Sequence, residues 1–157
     1  MTASEMPEGI ENLSANQCWE RFRSTDLGRL AVIAAGHPEI FPINYVVDHG
    51  CLVFRTAPGT KLDAALAGGS VAMETDGYNP STKVAWSVVA KGPVERLVSI
   101  DDVISSAMLP LFPWQGGEKD NFIRVIPVEI SGRRFRITPA TRRGPGLSDG
   151  RRRLDIE

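Results

Sequence analysis

Apolar and polar positions alternate in short, turn-bounded runs along most of this chain, and only three stretches carry helical spacing. Ser14 precedes the first of these, with Gln17 three residues on, the arrangement of a capping box. Cys18 and Phe22 then fall four apart on one face, with Trp19 beside them, and the helix is expected to stop near Asp26 and Gly28. After that the period shortens to two. Arg29 to Ala35 is an apolar run ended by a turn cluster, Gly36-His37-Pro38. Ile40 to Asp48 and Cys51 to Ala57 predict two strands, and the His49-Gly50 between them predicts a tight hairpin.

Beyond Pro58 the Ala- and Leu-rich stretch Thr60 to Ala67 predicts a helix stopped by Gly68-Gly69. Ser70 to Thr75 predicts a strand, and Asp76 to Thr82 a loop. Lys83 to Leu97 is strand-like, but Gly92-Pro93 interrupts it and predicts a bulge or an edge position. Ile100 to Leu109 has helical spacing and ends at Pro110. Leu111 to Asp120 is a Pro- and Gly-rich loop carrying Trp114, and Asn121 to Ile137 predicts one or two strands. Six or so antiparallel strands with short helices between them predict a mainly β fold (α+β), a small β-barrel with helical decorations. Neither a regular βαβ alternation nor G-x-G-x-x-G is present, which excludes a Rossmann domain.

Composition then bounds the class. A chain of 157 residues, 42% hydrophobic and 24% charged, is expected to form one globular domain burying ~70% of its unfolded surface. Residues 1–13 form an N-terminal arm, 14–137 the domain and 138–157 a mobile Arg-rich tail. Cys18 and Cys51 make no disulfide framework and no C-x-x-C, so reduced thiols and a cytoplasmic location are expected. The longest apolar run, Leu30 to Ala35, falls far short of the ~18 residues of a membrane span. Met1 to Glu11 shows no basic-then-apolar leader pattern, so neither membrane nor secretion is expected. Net charge is −1, and the tail's five arginines leave a mildly acidic body, which argues against a nucleic-acid partner.

Inventory excludes several chemistries. His37 and His49 sit in predicted turns without metal-ligand spacing, so no metal site is expected. No G-x-S-x-G elbow and no P-loop is present. The segment Phe54-Arg55-Thr56-Ala57-Pro58-Gly59-Thr60-Lys61-Leu62 carries a positive argument. A strand ends, Gly59 permits a tight turn, and a helix begins whose free amides attract an anion. Arg55, Lys61 and the Thr56 and Thr60 hydroxyls would join them around a phosphate. On spacing alone, a helix merely capped by Thr60 with solvated cations around it stands equally well. In Pro42-Ile43-Asn44-Tyr45, alternation puts Pro42 and Asn44 on one face and Ile43 and Tyr45 on the other. Trp86-Ser87-Val88 adds an indole and a hydroxyl on a later strand, with plain core the simpler reading of the tryptophan. Tyr45 and Tyr78 are the phenols available as proton donors; core or surface placement is the simpler reading of each. No catalytic residue is assigned.

Together these segments resemble the pyridoxamine 5′-phosphate oxidase-like flavin-binding split-barrel superfamily, in its nitroimidazole-resistance-like branch. The residues that carry the resemblance are Gly28-Arg29-Leu30, Pro42-Ile43-Asn44-Tyr45, Phe54-Arg55-Thr56 with Gly59-Thr60-Lys61-Leu62, Trp86-Ser87-Val88, and Ile130 to Arg134. It implies a homodimer of split barrels with FMN in each of two clefts at the subunit interface. It also implies that Arg55, Thr56, Thr60 and Lys61 hold the FMN phosphate beside Leu62. Pro42, Ile43, Asn44 and Tyr45 would line the isoalloxazine ring through their backbone. Trp86 and Ser87 would close its far side, with Trp114 in the same cleft. The implied activity is hydride transfer to or from a small-molecule substrate. Alternatives within the same fold are a deazaflavin-dependent reductase, the Arg-rich end meeting that coenzyme's acidic tail, and a non-catalytic flavin- or haem-binding module. The oxidase's C-terminal Arg-x-His is replaced by Arg133-Arg134-Phe135-Arg136-Ile137, so pyridoxamine phosphate is not the implied substrate.

Overall fold

The computed structural model describes residues 9–57, 62–63, 66–97 and 121–137. Its elements are β1 (Ile10–Asn12), α1 (Ala15–Arg23), β2 (Leu27–Ala34), β3 (His37–Asp48), β4 (Cys51–Thr56), a 3₁₀ turn (Leu66–Gly68), β5 (Ser70–Asn79), β6 (Val84–Arg96), β7 (Asn121–Val125) and β8 (Glu129–Arg136). Of the helix expected over Thr60–Ala67, Thr60, Lys61, Ala64 and Ala65 lie outside the described residues; Leu62 and Asp63 are helical and Leu66–Gly68 is a 3₁₀ turn. The helix expected over Ile100–Leu109, the Trp114 loop and the tail beyond Ile137 lie outside them altogether.

Antiparallel pairings β2–β3, β3–β4, β4–β7, β7–β6, β6–β5 and β5–β2 close a six-stranded barrel. Strand β8 pairs with Val84–Lys91 of β6, and β1 with β8, extending the sheet beyond the barrel. One edge of β6 is therefore shared, β8 along its first part and β7 along Val94–Arg96. The handover falls at Gly92-Pro93. There Ile126 donates its N–H to the Pro93 carbonyl at 2.9 Å and Val128 donates to the Lys91 carbonyl at 2.8 Å. The crossing chain lies so close that a Cβ on Gly92 would overlap the Ile126 carbonyl. The interruption expected to mark a bulge or an edge thus marks the split itself, and β6 is a central strand.

Alternation along the strands sets the core. Leu30, Val32, Ile43, Tyr45, Leu52, Phe54, Val71, Met73, Val88, Ala90, Ile123 and Val125 are buried inside. Helix α1 closes the barrel against β8, β3 and β6 by burying Cys18 and Phe22. Its start carries the expected box, the Ser14 amide donating to Gln17 Oε1 at 2.8 Å and the Gln17 amide to Ser14 Oγ at 3.3 Å. It ends at Ser24, earlier than expected. Two tight hairpins are present, one at the Gly36-His37-Pro38 turn cluster and one at the expected His49-Gly50 turn. At the first, Ala35 and Gly36 take positive φ (51° and 77°), so the turn is two residues long and His37 and Pro38 belong to β3. His49 and Gly50 do the same at the second (46° and 73°). This primed geometry matches the strand twist. The loop expected over Asp76–Thr82 begins later, because β5 stays paired as far as Asn79↔Val84.

Candidate functional site

Two strands that begin as neighbours part company at one point. The β3–β4 ladder runs from Asp48↔Cys51 to Tyr45↔Phe54 and stops, although both strands continue. Residues 37–44 of β3 pair only with β2, while Arg55 and Thr56 of β4 pair with Phe122 and Asn121 of β7. Among the described residues no strand covers the outer edge of β3 beside Pro42, Ile43 and Asn44. Prolines 38 and 42 fit there, since an edge strand tolerates a missing N–H. Backbone amides and carbonyls along such an edge remain obligatory hydrogen-bonding groups.

The outward face beside this opening is polar. Register places Pro42 opposite Arg29, and Arg29 opposite Glu74. Two residues on, Asp76 faces Ser87, which faces Arg133. Arg29 Nη1 donates to Glu74 Oε2 at 2.7 Å and lies 3.7 Å from Asp76 Oδ2. Burial pushes the Glu74 carboxyl above the usual range, the Arg29 hydrogen bond pulls it back, and the nearby Asp76 charge pushes it up again. The same carboxylates hold the Arg29 guanidinium more firmly protonated. Asn44 donates its side-chain amide to the Asp26 carbonyl at 3.2 Å. Arg55 extends over the Phe122 ring, 5.2 Å from its centroid, on the outward face of β4.

Other expected site residues face inward. Thr56 is buried on the Phe54 side of β4 (3% exposed), opposite in direction to Arg55. Tyr45 is 1% exposed, and its hydroxyl donates to the Phe22 carbonyl at 2.8 Å and lies 2.6 Å from Thr25 Oγ1. Of the Pro42–Tyr45 segment, then, Ile43 and Tyr45 offer only backbone to the outer edge, and the Tyr45 amide is taken by the Asp26 carbonyl at 3.0 Å. Trp86 and Ser87 point to opposite faces. The indole lies over Gly77, where an added Cβ would come within 2.6 Å of the ring, and the Arg21 guanidinium sits 5.0 Å above it. Ser87 alone shares the face of Asn44 and Pro42. Tyr78 is exposed on that face, two residues beyond Asp76. Leu62 is half-buried. Thr60, Lys61 and Trp114 lie outside the described residues. Glu74, Asp76 and Arg133 are not among the site residues expected from the sequence; strict alternation from Ser70 and from Glu129 places them on the outward face.

The chain matches the pyridoxamine 5′-phosphate oxidase family over residues 14–134 and belongs to it. It is 40% identical over 88 residues to the uncharacterized protein Rv3129 of Mycobacterium tuberculosis, covering 56% of this chain and 78% of that one. The structure of an FAD-binding protein from Mycobacterium smegmatis superposes with a TM-score of 0.71 at 36% identity, covering 80% of this chain and all of that one (100%). A Bacteroides thetaiotaomicron structure, described as a candidate 5-nitroimidazole antibiotic resistance protein, superposes with a TM-score of 0.65 over 82% of this chain and 90% of that one; at 13% identity it shares the fold alone.

Proposed function

We propose that this member of the pyridoxamine 5′-phosphate oxidase family is a flavin-binding oxidoreductase that holds FMN and transfers a hydride to or from a small organic substrate. What carries the reading is the divergence of β3 from β4 at Tyr45↔Phe54, which leaves the Pro42–Asn44 edge with no neighbouring strand among the described residues, beside the cation-bearing end of β4. The bound flavin would supply the redox chemistry; the protein supplies binding, orientation and electrostatics. Main-chain groups of Pro42–Asn44 would hold the ring by its polar edge. Arg55 and Lys61, with the Thr60 hydroxyl, would hold the phosphate, a charge-assisted contact stronger than a neutral one. Thr56 contributes less than its position in the motif suggests, because its side chain is buried. The Arg29–Glu74 pair next to Pro42 would set the local field at the ring's flank, and Ser87 would reach it from the same face.

A homodimer completes this reading. Leu27, Ile33, Ile40 and Tyr78 all project outward from β2, β3 and β5 and are exposed, Ile33 by 62% and Ile40 by 67%. Ile33 and Ile40 adjoin on this face, and an apolar pair so exposed marks an interaction surface. A second copy seated there would roof the cleft and keep water from the ring.

FAD is the second reading, favoured by the 36% identical relative described as binding it. An absorption spectrum of the purified protein, followed by titration with FMN and with FAD, decides between them. FMN is expected to give the tighter complex, and Lys61→Ala and Arg55→Gln are each expected to weaken it by about tenfold or more. Tighter FAD binding selects the second reading, and a colourless protein that takes up neither flavin rejects both. Reduction of the bound flavin by NADH or NADPH, with reoxidation by an organic acceptor, tests turnover.

A further inference from the structure

A separate concavity of about 910 Å³ opens where β1 and β8 extend beyond the barrel, on the side covered by α1. Among the described residues three arginines line it, Arg21, Arg134 and Arg136, against one acidic residue, Glu11. We propose that this cleft is a binding site for an organic phosphate monoester, distinct from the opening between β3 and β4. The register brings the cations together. Arg134 lies opposite Trp86 and Arg136 opposite Val84, so both project from the same face of β8. The Arg21 guanidinium sits over the Trp86 ring, and Trp86 is the register partner of Arg134.

Two of the three arginines are already held in place. Stacking on Trp86 restrains Arg21. Glu11 restrains Arg134, accepting from Nε at 3.1 Å and from Nη2, and leaves other N–H donors of that guanidinium free for a ligand. Side chains fixed before binding lose little conformational entropy on it. Arg136 is exposed, and among the described residues neither it nor Arg21 has a carboxylate partner. Among the described residues the lining carries an excess of two positive charges, which matches a phosphate dianion, and the planar forks suit its oxygens. Val84, the register partner of Arg136, adds apolar wall on the same face, and the volume exceeds what a bare phosphate fills, so an organic substituent has contact surface.

The inference does not rest on flavin binding, and its test keeps the two apart. Phenyl phosphate is titrated calorimetrically into the full chain, with and without saturating FMN, with inorganic phosphate as the comparison. Saturable binding is expected, tighter for phenyl phosphate than for inorganic phosphate and unchanged by FMN. Arg21→Gln and Arg136→Gln are each expected to weaken it by about tenfold, while Arg55→Gln leaves it unchanged. Arg136 is exposed and its side chain makes no hydrogen bond or ion pair among the described residues, so a folding failure of the Arg21 variant leaves the test standing. Absent binding, binding that ignores the Arg136 change, or competition by FMN would each overturn the proposal.

Discussion

Tyr45 shows how one residue ties a helix to the barrel. Its hydroxyl meets the Phe22 carbonyl and Thr25, and Thr25 in turn lies 3.1 Å from Thr75 Oγ1, which donates to the Leu27 carbonyl at 3.0 Å. The ring packs edge-on to Phe22, centroids 5.9 Å apart. Tyr45→Phe keeps the packing and removes the hydroxyl, leaving the Phe22 carbonyl and Thr25 short of a partner. A loss of ~1–2 kcal/mol in denaturant unfolding is expected. Burial also pushes the Tyr45 phenol above its ordinary value, opposed by the hydrogen bonds from Thr25 and Thr75. The folded protein therefore keeps this proton to higher pH than the unfolded chain does. The associated stability is fully present below about pH 10 and declines as pH rises through the folded-state value. Unfolding free energies measured from about pH 9 to about pH 11 should fall less steeply in Tyr45→Phe than in the parent protein. Parallel curves would assign the alkaline loss to other groups.

At the scale of elements the split in β6 makes the sharpest demand. Gly92 accepts the Ile126–Pro127 crossing only because it lacks a side chain: the nearest atoms are backbone and cannot rotate away. Gly92→Ala is expected to cost about 3 kcal/mol or more, read from a shift in the denaturant midpoint. A cost below about 1 kcal/mol would mean that the crossing segment moves aside and the split is held elsewhere. This element also shows what the sequence could and could not convey. Gly92-Pro93 announced an irregularity, but whether it sat at an edge or at a handover depended on β7 and β8, some thirty residues away. Short-range signals were legible: the Ser14–Gln17 box, the His49-Gly50 turn, and the alternation that buries Ile43 and Tyr45. Strand β5 was read short because Gly77 and Asn79 resemble loop residues, yet Gly77 is the floor on which Trp86 rests. Strand β1 offers one apolar residue, Ile10, and exists through pairing with β8, which no local pattern announces. For the site, residue types, order and the facing of Pro42–Tyr45 were legible, whereas the neighbours across strands were not. Trp86 and Thr56 point inward, and it is the β2–β5 register that sets Glu74 beside Arg29.

At the scale of the whole molecule, the outward face of β2, β3 and β5 joins the proposed flavin cleft to assembly. Ile33 and Ile40 are diagonal neighbours on this face, since Ile33 pairs with Pro38 and Ile40 with Ala31. The Arg29–Glu74 pair and Pro42 border them, so a surface that buries the isoleucines also roofs the opening beside β3. A stable interface needs about 800 Å² from each partner, and two isoleucines at its middle would be among its anchors. Ile33→Lys with Ile40→Lys places like charges on both copies of a two-fold contact, which is strongly unfavourable. Neither side chain supports the monomer's core, so the variant should fold normally. Sedimentation velocity should show a dimer for the parent chain and a monomer for the double variant, with FMN affinity reduced alongside. A parent chain that is monomeric at micromolar concentration would remove the dimer from the reading and leave each cleft open on one side. If instead the double variant is monomeric yet retains full flavin affinity, the cofactor is held within one subunit, and the second copy serves some purpose other than closing the site.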